Sequence, residues 1–303
     1  ESVLAETAAD IRPPFWAQGR PPRKPREITD LPPQTPLQSL IGLAKVGAGL
    51  LPAIGTGIRE LMRAADEATP DAAPFQAPPT MLNVPISGSR RFAAQSFSLD
   101  RMKTLAKKAG ATLNDIALAL CAGALRSYLL SHGALPEKPL IAMMPVSVRG
   151  EQEGGNQVAM MLANLATDVE DPVTRLRLVI ESTVAGKERL ASMSPSERVA
   201  YAAAIGAPFA PMVLTGLARR RPIFNVVISN VPGPKKPLYL NGLKLEETYP
   251  VSIPVDYLAL NITLNSYCDH LGFGYTACRK SVPGLQRMLD HTDDTLRELE
   301  QAL

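Results

Sequence analysis

Few side chains in this sequence are suited to moving a proton. There are three histidines. His132 is predicted at a helix end, His270 in a hairpin turn and His291 on the outward-looking face of the last helix. Each is expected to be solvent-exposed or a helix-end partner, and the chain holds no GxSxG elbow, no HExxH and no cysteine adjacent to a histidine. The residues that remain can orient a reacting group. Asn230 closes the apolar run IFNVVISN just before Val231, Pro232, Gly233 and Pro234. Pro232 has no N–H to extend a ladder, so the strand must stop there and leave an amide at the mouth of a buried sheet. Asn230 then either closes an Asx turn on itself or faces a cleft. Asn114 and Asp115 are the second polar pair. At the start of an apolar helix Asp115 can complete a capping box with Thr112, or the pair can face a cleft and fix its geometry.

The elements that must hold these residues are legible from periodicity. RFAAQSF reads as a strand, Ser98 as the N-cap of a helix ending at Gly110, and Thr112 as the N-cap of the next, with Leu113, Ile116, Ala117, Leu120, Ala124, Leu125 and Tyr128 as its buried face. Leu140–Val148 and Gln157–Thr167 are apolar enough for central strands, with the loop RGEQEGGNQ between them. Met143, Met144, Met160 and Met161 on these strands suit irregular apolar space, in a core or along an acyl tunnel. Asp171-Pro172 opens a helix to about Leu190, and Ser194-Pro195-Ser196-Glu197 opens another with a full capping box. The apolar stretch Pro208–Leu217 has no clear period. Asn241-Gly242 signals a hairpin, Tyr257–Tyr267 alternates as a strand that turns back at Asp269-His270, and a helix runs from Gly284 to Leu303. Strands with helices packed among them predict an α/β, layered α+β domain with a mixed sheet flanked by helices.

Charge is nearly balanced, with 32 basic and 29 acidic residues, so nucleic acid is not an expected partner. Cys121, Cys268 and Cys278 have neither CxxC spacing nor even number, which fits reduced thiols in a cytoplasmic protein and no metal. After a short helical opening over residues 2–10, residues 13–36 carry eight prolines, the composition of an extended connector or a disordered tail. Residues 37–62 form an apolar helical stripe, but Lys45, Pro52 and five glycines make it a poor span, since a span wants about 20 mostly apolar residues. It is expected as a broken core helix pair, a pocket cover or a contact with a membrane surface. Residues 1–82 are thus expected to be linker and 83–303 the main domain. The chain opens on Glu1 without a signal peptide, and it reads as the middle of a longer protein.

Taken together, NVPISGSRRFAAQSFSLDRMK, TLNDIALALCAGALRSYL, KPLIAMMPVSVR, GNQVAMMLANLATDVEDPVTRL, FNVVISNVPGPKKPLYLNGLKLEETYPVSIP and LALNITLNSYCDHLGFGYTACR resemble, in order, the bacterial wax ester synthase/diacylglycerol acyltransferase family. The resemblance implies a chloramphenicol acetyltransferase-like fold. It further implies transfer of a fatty acyl group from acyl-CoA, a co-substrate with no further cofactor, to a long-chain alcohol or a diacylglycerol. The family's HHxxxDG motif supplies the general base. That motif and the family's PLW are absent here. They are expected in an upstream N-terminal lobe, making this chain the linker and C-terminal lobe. Without that lobe the alternative is a non-catalytic acyl-CoA or lipid-binding module. The family's ND pair falls on Asn114 and Asp115 and its NVPGP on Asn230, Val231, Pro232, Gly233 and Pro234, with positioning roles implied for both. CoA phosphates would want cations, and Arg90, Arg91, Arg149, Lys235 and Lys236 fall beside predicted strand ends as phosphate partners or as solvated charges. The expected location is cytoplasmic, peripheral at the inner membrane or on lipid droplets.

Overall fold

A computed structural model describes residues 4–9, 72–147, 158–206 and 208–303. The proline-rich connector, the stripe over 37–62, the loop over 149–157 and Arg149 lie outside the described residues. The main body is a six-stranded mixed sheet. Its strands are β1 (Arg90–Ser98), β2 (Ile141–Ser147), β3 (Val158–Asn164), β4 (Val226–Val231), β7 (Leu260–Tyr267) and β8 (His270–Cys278), in the spatial order β1-β8-β7-β4-β2-β3. A separate hairpin of β5 (Tyr239–Leu240) and β6 (Leu243–Lys244) turns at Asn241-Gly242, both with positive φ as a primed turn requires. The parallel pairs β4–β7 and β2–β4 lie at the centre and antiparallel pairs flank them. The β2–β4 ladder joins Ala142 to Val226 and Met143 to Val227, and two residues on β2 carries Pro145, which has no N–H to continue it. Met144 and Met161 lie opposite each other in the buried core, while Met143 and Met160 pack partly buried against it.

The helices are α1 (Leu99–Ala109), α2 (Leu113–Ser131), α3 (Pro172–Ser192), α4 (Pro195–Gly206), α5 (Phe209–Thr215) and α6 (Arg287–Ala302), with a 3-10 turn at Leu217–Arg219. The caps fall where the sequence places them. The Ser98 hydroxyl accepts from Arg101 N, Gly110 leaves α1 at φ 63°, Asp171 caps α3, and Ser194 with Glu197 closes the box that opens α4. One expectation changes character. Helix α2, long and apolar enough on composition to cross a membrane, is the core helix and is buried on every side from Asp115 to Leu125. Helices α1, α3 and α6 pack around it, so the single buried face expected from its spacing becomes a full circumference. Small residues allow this. At Gly123 a Cβ would meet the Thr295 side chain of α6 within 2.4 Å.

Four local expectations are corrected. Residues 4–9 form a bridge and a turn rather than helix, because Ala5 exchanges both backbone hydrogen bonds with Tyr239 at the hairpin edge. The β7–β8 turn is Cys268-Asp269, one residue early, since Tyr267 pairs with His270 and Cys268 takes the positive φ. Helix α6 starts at Arg287, because Gly284 at φ 64° interrupts the chain after Pro283. His291 is half-buried with Nε2 out of water, because α6 packs against both α2 and α3 and its flanking positions are covered too. All three cysteines are free thiols.

Helices cover the sheet face that carries Tyr275, whose hydroxyl lies 2.7 Å from Thr292 Oγ1 of α6. The opposite face of β7 and β8 is covered by an extended strap, residues 246–256. Thr248 Oγ1 donates to Asn265 Oδ1 at 2.8 Å, Ser252 bonds Thr263, and Ser96 Oγ donates to Tyr249 Oη at 3.3 Å. The strap lies so close that a Cβ on Gly274 would sit 2.1 Å from the Pro250 carbonyl oxygen. Gly274→Ala should therefore lift the strap and destabilise the protein by about 1–3 kcal/mol, the usual range for overpacking against backbone that cannot rotate away. Thermal melting checks this; an unchanged midpoint would mean that the strap is not held there.

Candidate functional site

The site is built at the first turn of α2. Thr112 is extended (φ −86°, ψ 160°), and its Oγ1 accepts from Asp115 N at 3.3 Å. Asp115 Oδ2 accepts in return from Thr112 N at 2.9 Å and from Thr112 Oγ1 at 2.6 Å. This is a complete capping box. The other carboxylate oxygen reaches across to α3. Thr183 Oγ1 donates to Asp115 Oδ1 at 2.7 Å, and Lys187 Nζ stands 3.7 Å from the same oxygen. Thr183 and Lys187 are four apart on one helix and so share a face. Asp115 is 2% exposed with both oxygens engaged. It holds the helix start in place and has no oxygen left over to take a substrate proton.

Asn114, one residue earlier and half-buried, looks the other way. Its Oδ1 accepts from Asn230 Nδ2 at 3.4 Å, so the chain folds to bring the two motif stretches together across 116 residues. The Asn230 amide thus reaches from the end of β4 to the first turn of α2. The turn after it is fastened to β7 and the β7–β8 turn. Asn265 Nδ2 donates to the Val231 carbonyl at 3.1 Å, Gly233 N donates to Ser266 Oγ at 3.0 Å, and Cys268 N donates to the Pro234 carbonyl at 2.9 Å. Gly233 has no space for a side chain, since a Cβ would stand 2.0 Å from the Ser266 carbonyl oxygen. Val231, Pro232 and Pro234 are exposed on the outer side of this rigid turn. The result is a fixed, accessible pair of carboxamides that can donate and accept hydrogen bonds but cannot serve as a base.

His132 and His270 have partners of their own. His132 caps the far end of α2, with Nδ1 2.8 Å from the Tyr128 carbonyl oxygen, and His270 is tied to Asp269 at 2.8 Å on the hairpin tip. The basic residues beside the strand ends lie at both ends of the sheet. Arg90 pairs with Cys278 at one end of the nine-residue β8, whereas Lys235 and Lys236 follow the turn bonded to Cys268 at the other, a separation of about 25–30 Å. Alternating strand directions carry sequence neighbours of strand ends to opposite edges of the sheet. An open apolar recess of about 220 Å³, lined by Phe209, Met212, Ile223, Phe224 and Tyr257 among others, lies beside the start of β4, away from Asn230. Among the described residues no group of three or more His, Cys, Asp and Glu is placed to hold a metal. Thr183, Lys187, Asn265 and Ser266 were not singled out by the sequence. The only signal was a threonine and a lysine at helical spacing and a polar alternation along β7.

A family model described as the wax ester synthase/diacylglycerol acyltransferase catalytic domain matches residues 4–117, and one described as the WS/DGAT C-terminal domain matches residues 154–300. An O-acyltransferase WSD of Acinetobacter baylyi is 42% identical over 302 residues, 97% of this chain and 64% of that protein. A putative diacylglycerol O-acyltransferase of Mycobacterium tuberculosis is 46% identical over 270 residues, 88% of this chain and 59% of that protein. The solved wax ester synthase/diacylglycerol acyltransferase from Marinobacter aquaeolei VT8 superposes with a TM-score of 0.73 at 41% identity, over 99% of this chain and 63% of that one. A starter condensation domain of rhizomide synthetase, 12% identical with a TM-score of 0.50, shares the fold alone. The chain spans about three-fifths of the length of the relatives it matches.

Asp115→Ala would strand Thr112 N, leave the Thr183 hydroxyl only the Ile180 carbonyl and remove the partner of Lys187. It should cost about 2–4 kcal/mol, the loss of a cap together with a charge-assisted hydrogen bond from a buried hydroxyl. Thr112→Ala should cost about 1 kcal/mol. Urea unfolding of both variants checks the order, and an Asp115 variant as stable as the wild type would contradict the buried network.

Proposed function

Because the chain belongs to the wax ester synthase/diacylglycerol acyltransferase family, we propose that it forms part of an acyl-CoA-dependent O-acyltransferase making wax esters or triacylglycerol. The acceptor is a long-chain alcohol or a diacylglycerol. The hydroxyl oxygen attacks the thioester carbonyl carbon as its proton passes to a base, an ester bond forms, the C–S bond breaks, and CoA leaves as its thiol. The base is a histidine of the HHxxxDG motif in a lobe outside this chain, which completes the site by packing on this one. In this reading Asn114 and Asn230 are positioning residues at the floor of the cleft, and the exposed turn from Val231 to Pro234 borders it. The protein works at the inner membrane or on lipid droplets, where its water-insoluble acceptors collect.

The observation that supports this reading best is the Asn230–Asn114 hydrogen bond, which joins the two stretches that match the family's motifs. Both residues are amides, and an amide pair orients a carbonyl or a hydroxyl without competing for its proton. The intact protein, given palmitoyl-CoA with hexadecanol or with diolein, should release CoA in step with ester or triacylglycerol, measured by a thiol assay and by mass spectrometry. Thioester binding without turnover would instead favour the lipid-binding module. Asn114→Ala and Asn230→Ala should each lower kcat by roughly tenfold or more, the scale on which misplacement acts. Each should cost no more than about 1 kcal/mol of stability, since only one long hydrogen bond is lost. Stability losses large enough to account for the lost turnover would return both residues to a packing role.

A further inference from the structure

We propose that Thr183 and Lys187 of α3 are positioning residues for the reaction, acting through Asp115 to set where Asn114 meets Asn230; this rests on the acyltransfer reading above. Thr183 is fully buried, and its single hydroxyl proton has two acceptors within reach, Asp115 Oδ1 at 2.7 Å and the Ile180 carbonyl oxygen at 3.0 Å. The charged acceptor wins, because a hydrogen bond to a carboxylate is roughly twice as strong as one to a neutral carbonyl. Lys187, itself 43% exposed, stands 3.7 Å from the same oxygen and offsets the charge of the buried carboxylate.

The carboxylate so held also receives Thr112 N and Thr112 Oγ1, and its own N–H is bonded back to Thr112. The first turn of α2 is thereby located by α3 and not only by its own cap. Asn114 belongs to that turn, and its bond to Asn230 is 3.4 Å long, near the limit at which a hydrogen bond persists. A further displacement of a few tenths of an ångström breaks it. The two α3 side chains therefore control a contact they do not touch.

The test measures kcat, KM and melting temperature for Thr183→Val, Thr183→Ser and Lys187→Met, in the intact wild type and in Asn114→Ala. Thr183→Val keeps the shape and removes the donor. It should lower kcat roughly tenfold with KM changed less than about twofold, and Thr183→Ser should restore most of the loss. Lys187→Met should act in the same direction by about threefold. In the Asn114→Ala background each change should lower kcat by less than about twofold, because the contact it controls is already gone.

Equal factors in the two backgrounds would overturn the proposal, leaving Thr183 and Lys187 as packing residues while acyl transfer stands. Should Thr183→Val fail to fold, Lys187→Met in the same two backgrounds decides, since this side chain is 43% exposed and its truncation leaves no buried void. An intact wild type without acyl transfer would overturn the activity itself, and this inference with it.

Discussion

Helix α2 has water on no side over its central turns, and that constraint shapes most of the surrounding structure. A helix exposes four N–H groups at its start, and solvent normally satisfies those that a cap does not. When the start is itself at the edge of the core, side chains must do this work. Asp115 and Thr112 supply the first partners. A carboxylate placed there becomes a buried charge and needs partners of its own, which come from Thr183 and Lys187 on α3. The packing of α3 beside α2 follows from the same need, as does the series of small residues, Ala117, Ala119, Ala122, Gly123 and Ala124, that lets neighbouring helices approach.

The sheet meets a comparable demand at the far end of β4 with two asparagines. Asn225 Oδ1 accepts from Ile141 N at 2.9 Å, and its Nδ2 donates to the Pro78 carbonyl and to Asn83 Oδ1. Asn83 Nδ2 in turn donates to the Phe224 and Tyr257 carbonyls. Both side chains are fully buried, and their network joins β2, the approach to β4, the segment before β1 and the approach to β7. Four chain segments are thereby fixed at one end of the sheet, while the turn after Asn230 is fixed to β7 at the other. With both ends anchored, β4 presents Asn230 as a rigid group.

Secondary structure was legible wherever a local rule governs it. The caps at Ser98, Thr112, Asp171 and Ser194, the Asn-Gly hairpin and the stop at Pro232 each depend on a few neighbouring residues. The family stretches marked Asn114 and Asn230, but no local pattern says that they touch, because their contact depends on the parallel alignment of β4 with β7 and on the placing of α2. Thr183 was illegible for the same reason. A threonine within a helix has nothing in its neighbours that tells a core hydroxyl from a bonded one. That Arg90 and Arg91 lie at the opposite end of the sheet from Lys235 and Lys236 was not legible either, because strand direction, which decides the end of the sheet a residue reaches, is a property of the whole topology.

The adjacent residues of the ND pair illustrate how a helix divides labour. Successive positions are turned by about 100° around the axis, so Asn114 and Asp115 cannot face the same neighbour. The acidic member turns inward to α3, where its charge is balanced and its oxygens are used up. The neutral member turns to the strand end, where a permanent charge would be poorly compensated and an amide is sufficient. Exchanging the two would leave a carboxylate against Asn230 and an amide where the cap needs an acceptor of full charge. The order of the pair is therefore set by which side of α2 faces the helices and which faces the sheet's open end. Neither position offers a free base, and what the pair presents toward the strand end is an amide held by its neighbours.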